Sequence, residues 1–424
     1  MRAVRWLMRS SWAPAALFAV SMLAHVVVSL LGSDPFGMID LRVYLDGARW
    51  SLDGTLYDSV SRSVSRTGDV ALPFTYPPFA ALVFLPLSVL PFALTRVLWQ
   101  IASVAALAGI VALTLRLMGR SGPGGNLPPA RVRAIVLVTT ALGMWFEPVR
   151  TTFNYGQINL FLAVLLLAGA VAAKEWLAGA TVGLAAGIKL VPAVTGLYYL
   201  AQKRWTAAVA SVAAFAVTVA IGAVVLGPET KRYFSELIFD PARTGPVFNT
   251  LNQSWRGALA RIVGREDFPA GWIVGSVITV AIGGYALLLA VRAGDRLAGF
   301  LVVQVIGLLV SPISWSHHWV WALPIILWCL LGARRNLPVV RGLATAWILA
   351  GFSFLISFLV AAPDNFTVAS RSGLAAWLGA VYPILGLATL VVVAVVSRRV
   401  ESANDTGVRC AGLREGHEAP DRRT

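Results

Sequence analysis

The chain has 424 residues, 58% of them hydrophobic and 13% charged, with a mean hydropathy of +0.75. Soluble globular chains run at about 45–50% apolar and about 25% charged, and disorder needs the opposite bias, so a cytosolic enzyme and a disordered chain are excluded as the main reading. The net charge of +15 does not signal nucleic acid, because Lys and Arg stand singly or in pairs between apolar runs (Lys203-Arg204, Lys231-Arg232, Arg334-Arg335, Arg398-Arg399), as helix-end anchors do.

What remains is an all-α polytopic membrane protein. Arg2, Arg5 and Arg9 precede the apolar run Trp12–Leu31. That run exceeds the usual signal-peptide core and reaches the ~20 residues a crossing helix needs, so it is expected to be a retained first span with a cytoplasmic N-terminus. Further apolar runs follow at roughly 76–92, 95–117, 131–147, 157–173, 177–200, 205–226, 271–292, 297–311, 317–333, 341–361 and 376–397. About twelve crossings return the C-terminus to the cytoplasm and place Lys203-Arg204, Arg292 with Arg296, and the Arg334–Arg341 joint there, in keeping with positive-inside. The joint carrying Arg116, Arg120, Arg131 and Arg133 falls outside on this count, unless the short, proline-rich run at 76–92 does not cross.

Two polar segments are longer than turns, about 32–72 and about 227–270, and both fall on the extracytoplasmic side. Helix-like spacing of Leu41, Tyr44, Leu45 and Ala48 predicts short interfacial helices within them. Residues 1–397 are expected to form a single transmembrane domain and 398–424 a polar, disordered cytoplasmic tail.

Three constellations suit chemistry. Asp40, shortly past the first span, puts a carboxylate at the lipid–water boundary, where it could take a proton from a hydroxyl; the same position suits a helix N-cap. In Ser311-Pro312-Ile313-Ser314-Trp315-Ser316-His317-His318-Trp319, an imidazole flanked by tryptophans could donate to a phosphate oxygen, and an interfacial aromatic belt accounts for the pattern equally. Lys189 lies within an apolar run, an expensive position that points to function or to snorkelling. Glu147 and Arg150 are close enough to pair, and the amide run Asn154-Tyr155-Gly156-Gln157-Ile158-Asn159 follows. Cationic side chains beside a membrane cavity suit a phosphate. Four His and two Cys, Cys329 and Cys410, give neither a zinc pattern nor a disulfide, so no metal and no cofactor are expected. With no phosphate-gripping loop or dinucleotide fingerprint, an activated donor would arrive on a lipid.

Asp40-Leu41-x-Val43-Tyr44, Gly54-x-Leu56-Tyr57-Asp58, Phe74-Thr75-Tyr76-Pro77-Pro78-Phe79, Gly156-Gln157-x-Asn159, Gly187-x-Lys189 and Ser311-Pro312-x-Ser314-Trp315-x-His317-His318 occur in this order. The set resembles the actinobacterial polyprenol-phosphate-mannose-dependent α-1,2-mannosyltransferases of the GT-C superfamily, including those of phosphatidylinositol mannoside synthesis. The resemblance implies a GT-C fold in the plasma membrane, with the active site at the periplasmic face. It implies a polyprenyl-phosphate-mannose donor, a phosphatidylinositol mannoside acceptor, membrane lipids as partners and inversion at the anomeric carbon. Asp40 would match the family's catalytic carboxylate, and His318, or second to it His317, the histidine near the donor phosphate. Lys189 and Arg150 join them as donor-phosphate candidates, and Tyr44, Tyr76, Gln157, Asn159 and Trp315 as sugar or lipid contacts. The rival readings are a transferase for another cell-envelope glycan (lipoglycan mannosyl- or arabinofuranosyl-) and a lipid or solute transporter, although no related halves are visible.

Overall fold

The structure is a computed structural model and describes Trp6 and residues 10–31, 37–65, 68–122, 124–361 and 373–415. Arg2, Arg5 and Arg9, the opening of the first long loop and residues 416–424 lie outside the described residues. Among the described residues the regular structure is helical except for one antiparallel hairpin, Val60–Ser65 with Gly68–Pro73, in which Val60 faces Pro73 and Ser65 faces Gly68. That hairpin departs from the all-α expectation. Its strands are too polar to register as apolar runs, and only the backbone pairing shows their period of two.

Among the described residues, five helices are long and apolar enough to cross a membrane: Phe92–Leu117, Trp205–Val225, Pro269–Arg292, the broken Pro338–Ala361 and Val381–Arg399. Pro129–Gly143 and Glu147–Tyr155, bent by 70° at their junction, make a sixth if they count as one span. The other apolar runs form helices of 10–17 residues. At 1.5 Å per residue these fall short of the ~30 Å hydrocarbon layer. Several, such as Arg296–Val310, are buried over nearly their whole length inside the bundle.

Two runs read as single spans are not. The 76–92 run yields Pro78–Ser88, an 11-residue helix packed beneath the loop helix Ile39–Leu52. The 177–200 run breaks at Lys189, whose backbone is extended between Glu175–Ile188 and the turn Val191–Thr195 that leads into Gly196–Ala201. Arg204 Nε donates to both carboxylate oxygens of Glu175, at 3.0 and 2.9 Å, so this run returns to the end of the bundle where it began. The Arg116/Arg120 joint lines one cavity with Arg296 and Arg334. It therefore lies at the same end as those basic joints, not at the opposite end where the twelve-crossing count put it.

The expected loop helix is present. Ile39–Leu52 buries Leu41, Tyr44, Leu45 and Ala48 on one face. Tyr44 stacks on Phe84 at 4.5 Å between ring centroids. The last helix runs Val381–Glu415, past residue 398 where a disordered tail was expected to begin.

Glu175–Ile188 and Trp205–Val225 make the most intimate helix pair. Gly179, Gly183 and Gly187 form a stripe at i, i+4, i+8, and a Cβ at Gly183 would lie 2.5 Å from the backbone of both Phe215 and Ser211. Small residues let two membrane helices approach until their backbones touch. Gly183→Leu is expected to lower the unfolding temperature of the detergent-purified protein by about 2–10 °C, the cost of overpacking. Gly284→Leu, in a position with nothing within 4 Å, should change it by less than about 1 °C. Equal shifts, read by intrinsic tryptophan fluorescence, would refute the close-packing account.

Candidate active site

Six segments distant in sequence line a cavity of about 310 Å³: the start of the loop helix, Leu72–Tyr76, Tyr155 with Gln157, Arg243–Leu251, Trp315 with His317, and Val360. Asp40 lies in the first turn of Ile39–Leu52 and opens into this cavity. It is not the N-cap. That position belongs to Met38, in left-handed conformation (φ 56°) and without a side-chain cap.

The Asp40 carboxylate is held by Gln157, whose Nε2 donates to Oδ2 at 2.8 Å. The same amide accepts from the Tyr44 hydroxyl through Oε1 at 2.8 Å, and Tyr44 and Tyr76 share a hydroxyl–hydroxyl bond of 3.1 Å. Gly156 makes this possible. It caps Glu147–Tyr155 with φ 69°, and a Cβ there would come within 2.7 Å of Leu41 Cβ. No side chain fits between the two helices, so Gln157 reaches the carboxylate directly.

Burial pushes the Asp40 carboxyl up to about 6, and the Gln157 bond and the nearby Lys189 ammonium hold it from rising further. The group is thus ionised at neutral pH yet basic enough to accept a proton.

The two histidines face different spaces. His317 is buried against the Asp40 cavity, its ring edge-on to Tyr155 at 5.4 Å, and both ring nitrogens lack a partner among the described residues. Its carbonyl is pinned by Asn159 Nδ2 at 2.8 Å and Thr152 Oγ1 at 3.1 Å. His318, expected to be the foremost of the pair, turns into an adjoining small pocket, where Nε2 meets Lys189 Nζ at 3.0 Å. Lys189 also donates to Asn159 Oδ1 at 2.9 Å and lies 5.5 Å from the centroid of the Tyr76 ring. Its place at the break between two half-helices explains an ammonium at membrane depth.

Of the expected residues, Asp40, Tyr76, Gln157, Trp315 and His317 line the cavity. Tyr44 is fully buried beneath it and donates to Gln157 rather than lining the cavity. Asn159, Lys189 and His318 form the neighbouring chamber. Arg150 is elsewhere: its Nη1 meets His25 Nδ1 at 2.7 Å and its guanidinium covers Trp145. Nor does it pair with Glu147, which instead receives hydroxyls from Thr151 and Ser316 at 2.9 Å, Ser357 at 3.4 Å and Tyr382 at 2.6 Å. Sequence reading missed Arg243, which lines the cavity and donates to the Tyr57 carbonyl at 3.2 Å. Its signal was the rigid turn Pro241-x-Arg243-x-Gly245-Pro246 within the second long loop. Among the described residues, no group of three His, Cys, Asp or Glu is placed to hold a metal ion.

A half-buried carboxylate, an imidazole and a guanidinium around one cavity in an apolar helical bundle are the groups that a membrane enzyme of the group-transfer class requires. The chain belongs to glycosyltransferase family 87, whose model matches residues 74–312. It is 44% identical over 385 residues, 88% of this chain and 89% of the relative, to the polyprenol-phosphate-mannose-dependent alpha-(1-2)-phosphatidylinositol pentamannoside mannosyltransferase of Mycolicibacterium smegmatis. Identity to the protein of the same description in Mycobacterium tuberculosis is 41% over 402 residues, 92% of this chain and 89% of the relative. A phosphatidylinositol mannoside mannosyltransferase of M. tuberculosis, with the same donor dependence, is 34% identical over 336 residues, 77% of this chain and 78% of the relative. No solved structure matches the chain.

Two predictions follow from the geometry. With Asp40 at about 6, kcat/KM for glycosyl transfer should be flat above that pH and fall about tenfold per unit below it, as the base becomes protonated. Gln157→Met removes a bond that favours the charged form, so the acidic limb should move to higher pH; an unmoved limb in a pH–rate series would sink this assignment. Glu147→Leu strands the Tyr382 and Ser316 hydroxyls at about 1–3 kcal/mol each, and should lower both the unfolding temperature and kcat. Glu147→Gln, which can still bond to both, should stay close to the parent in both measurements.

Proposed function

We propose that this chain transfers mannose from polyprenyl-phosphate-mannose to a phosphatidylinositol mannoside, forming an α-1,2 linkage with inversion. The observation that carries the reading is the Asp40 carboxylate, aimed into the cavity by Gln157; family membership and the names of the relatives support it. An acceptor hydroxyl attacks the anomeric carbon while its proton passes to Asp40. The bond from that carbon to the phosphate oxygen breaks on the opposite face, and polyprenyl phosphate leaves with the electron pair. A phosphate is a good leaving group that needs charge stabilisation rather than protonation. His317 and Arg243 supply this from the cavity wall, with Lys189 and His318 behind Tyr76. Tyr76 and Trp315 contact the sugar or the lipid.

The bundle sits in the plasma membrane with the Arg116, Arg296 and Arg334 end in the cytoplasm, as positive-inside favours, and the Asp40 cavity at the periplasmic face. A pentamannoside acceptor is favoured over a shorter one, because relatives named for it are 44% and 41% identical, against 34% for the mannoside enzyme of M. tuberculosis.

The detergent-purified chain, incubated with polyprenyl-phosphate-mannose and mannosylated phosphatidylinositols of graded length, is expected to add one hexose to the pentamannoside, read by mass spectrometry. Asp40→Asn should cut the rate about 10²–10⁴-fold while donor lipid still binds. Transfer at the parental rate in that variant removes Asp40 as the base. Donor binding without transfer to any acceptor would shift the function toward another glycan or toward transport.

A further inference from the structure

At the end of the bundle away from Asp40, a cavity of about 680 Å³ opens between helix ends. Arg116 and Arg120 reach it from the close of Phe92–Leu117, Arg296 from the start of Arg296–Val310, and Arg334 from the turn after Ala322–Leu331. Asp295 is the one carboxylate in the described lining, and its oxygens are engaged: Oδ1 accepts from the Ala298 amide and Oδ2 from Trp328 Nε1, each at 2.9 Å. No ion pair joins any of the four arginines to a carboxylate among the described residues. Arg120 donates to Asn126 Oδ1 at 3.2 Å and Arg296 to the Ala170 carbonyl at 2.9 Å. The guanidinium groups of Arg116 and Arg334 are exposed and bond to nothing in the described chain.

Topology alone accounts for arginines at this end. It does not account for four of them, from three separate helix ends, lining one cavity with their charge uncompensated. Guanidinium forks match phosphate oxygens in pairs, and basic pockets between helix ends at a membrane face suit anionic headgroups. The geometry points to a second, non-catalytic site here that binds the phosphoryl headgroup of an anionic lipid. Its occupation would tie together helices whose opposite ends carry the catalytic chamber. Asn159–Val171 runs from Asn159 to this cavity, and Ala322–Leu331 arrives here from the His317 turn.

Dioctanoyl phosphatidylglycerol is a suitable probe because it carries no mannose-accepting inositol. With the full chain in neutral detergent, it should bind saturably by native mass spectrometry and raise the unfolding temperature, whereas dioctanoyl phosphatidylcholine should do neither. The double variant Arg116→Gln/Arg334→Gln breaks no internal bond, so it should unfold as the parent does without lipid yet bind phosphatidylglycerol at least about tenfold more weakly. Asp40→Asn should bind it like the parent. Affinity of the parent should also drop about tenfold between about 0.05 and about 0.5 M KCl, a test that needs no variant. Inorganic phosphate displacing the lipid at equal concentration would assign the site to a free phosphate; failure to displace would assign it to the lipid. Unchanged affinity in the double variant, equal binding of the zwitterionic lipid, or binding insensitive to salt would each overturn the proposal.

Discussion

A carboxylate withdrawn from water keeps its charge and its direction only if a donor is built to meet it, and in this protein the Gln157 amide is that donor for Asp40. The rest of the site is arranged around that bond. Gly156 lets two helices meet closely enough for the amide to reach, Tyr44 fixes the amide's other end, and Phe84 stacks beneath Tyr44. Tyr44, buried behind the amide, is therefore as tightly constrained as the Asp40 carboxylate itself. The stacked, fully buried Tyr44 illustrates how a residue in a functional motif can act on geometry alone.

The membrane exacts a second constraint, since an ammonium at depth is costly wherever no polar partner waits for it. Lys189 meets it through a break in the helix. The half-helices Glu175–Ile188 and Gly196–Ala201 with the turn between them leave an extended apex, and Asn159 and His318 receive the ammonium there. The glycine stripe at 179, 183 and 187 seats the first half-helix against Trp205–Val225. Helix packing and the placement of charge are thus one design.

Glu147 meets the same constraint. Four hydroxyls from four parts of the chain converge on it, one of them Ser316, next to His317. The turn that presents the free imidazole is thereby anchored to the helix Glu147–Tyr155, whose end carries Gly156 and Gln157. The Asp40 carboxylate and the His317 imidazole are referenced to one short helix, which sets their mutual position more firmly than two independent loops could.

Much of this was legible in the residues. Apolar runs, basic joints and the spacing of Leu41, Tyr44, Leu45 and Ala48 depend only on local composition and period, so the membrane class, the loop helix and the ordered motifs containing Asp40, Gln157 and Lys189 could be read directly. Other features depend on which surfaces meet. Hydropathy does not distinguish a crossing helix from a half-helix that turns back, so the 177–200 run reads as one span, and only the contact of Arg204 with Glu175 shows that it turns back. Adjacent histidines on a tight turn diverge, and only the packing of Tyr155 and Lys189 decides that His317 takes the cavity and His318 the chamber beside it. The sequence by itself determined the solvent this chain folds in and the chemical groups it carries. Only the tertiary structure decided which of those groups share a cavity, because that rests on contacts between residues more than a hundred positions apart, such as Asp40 with Gln157.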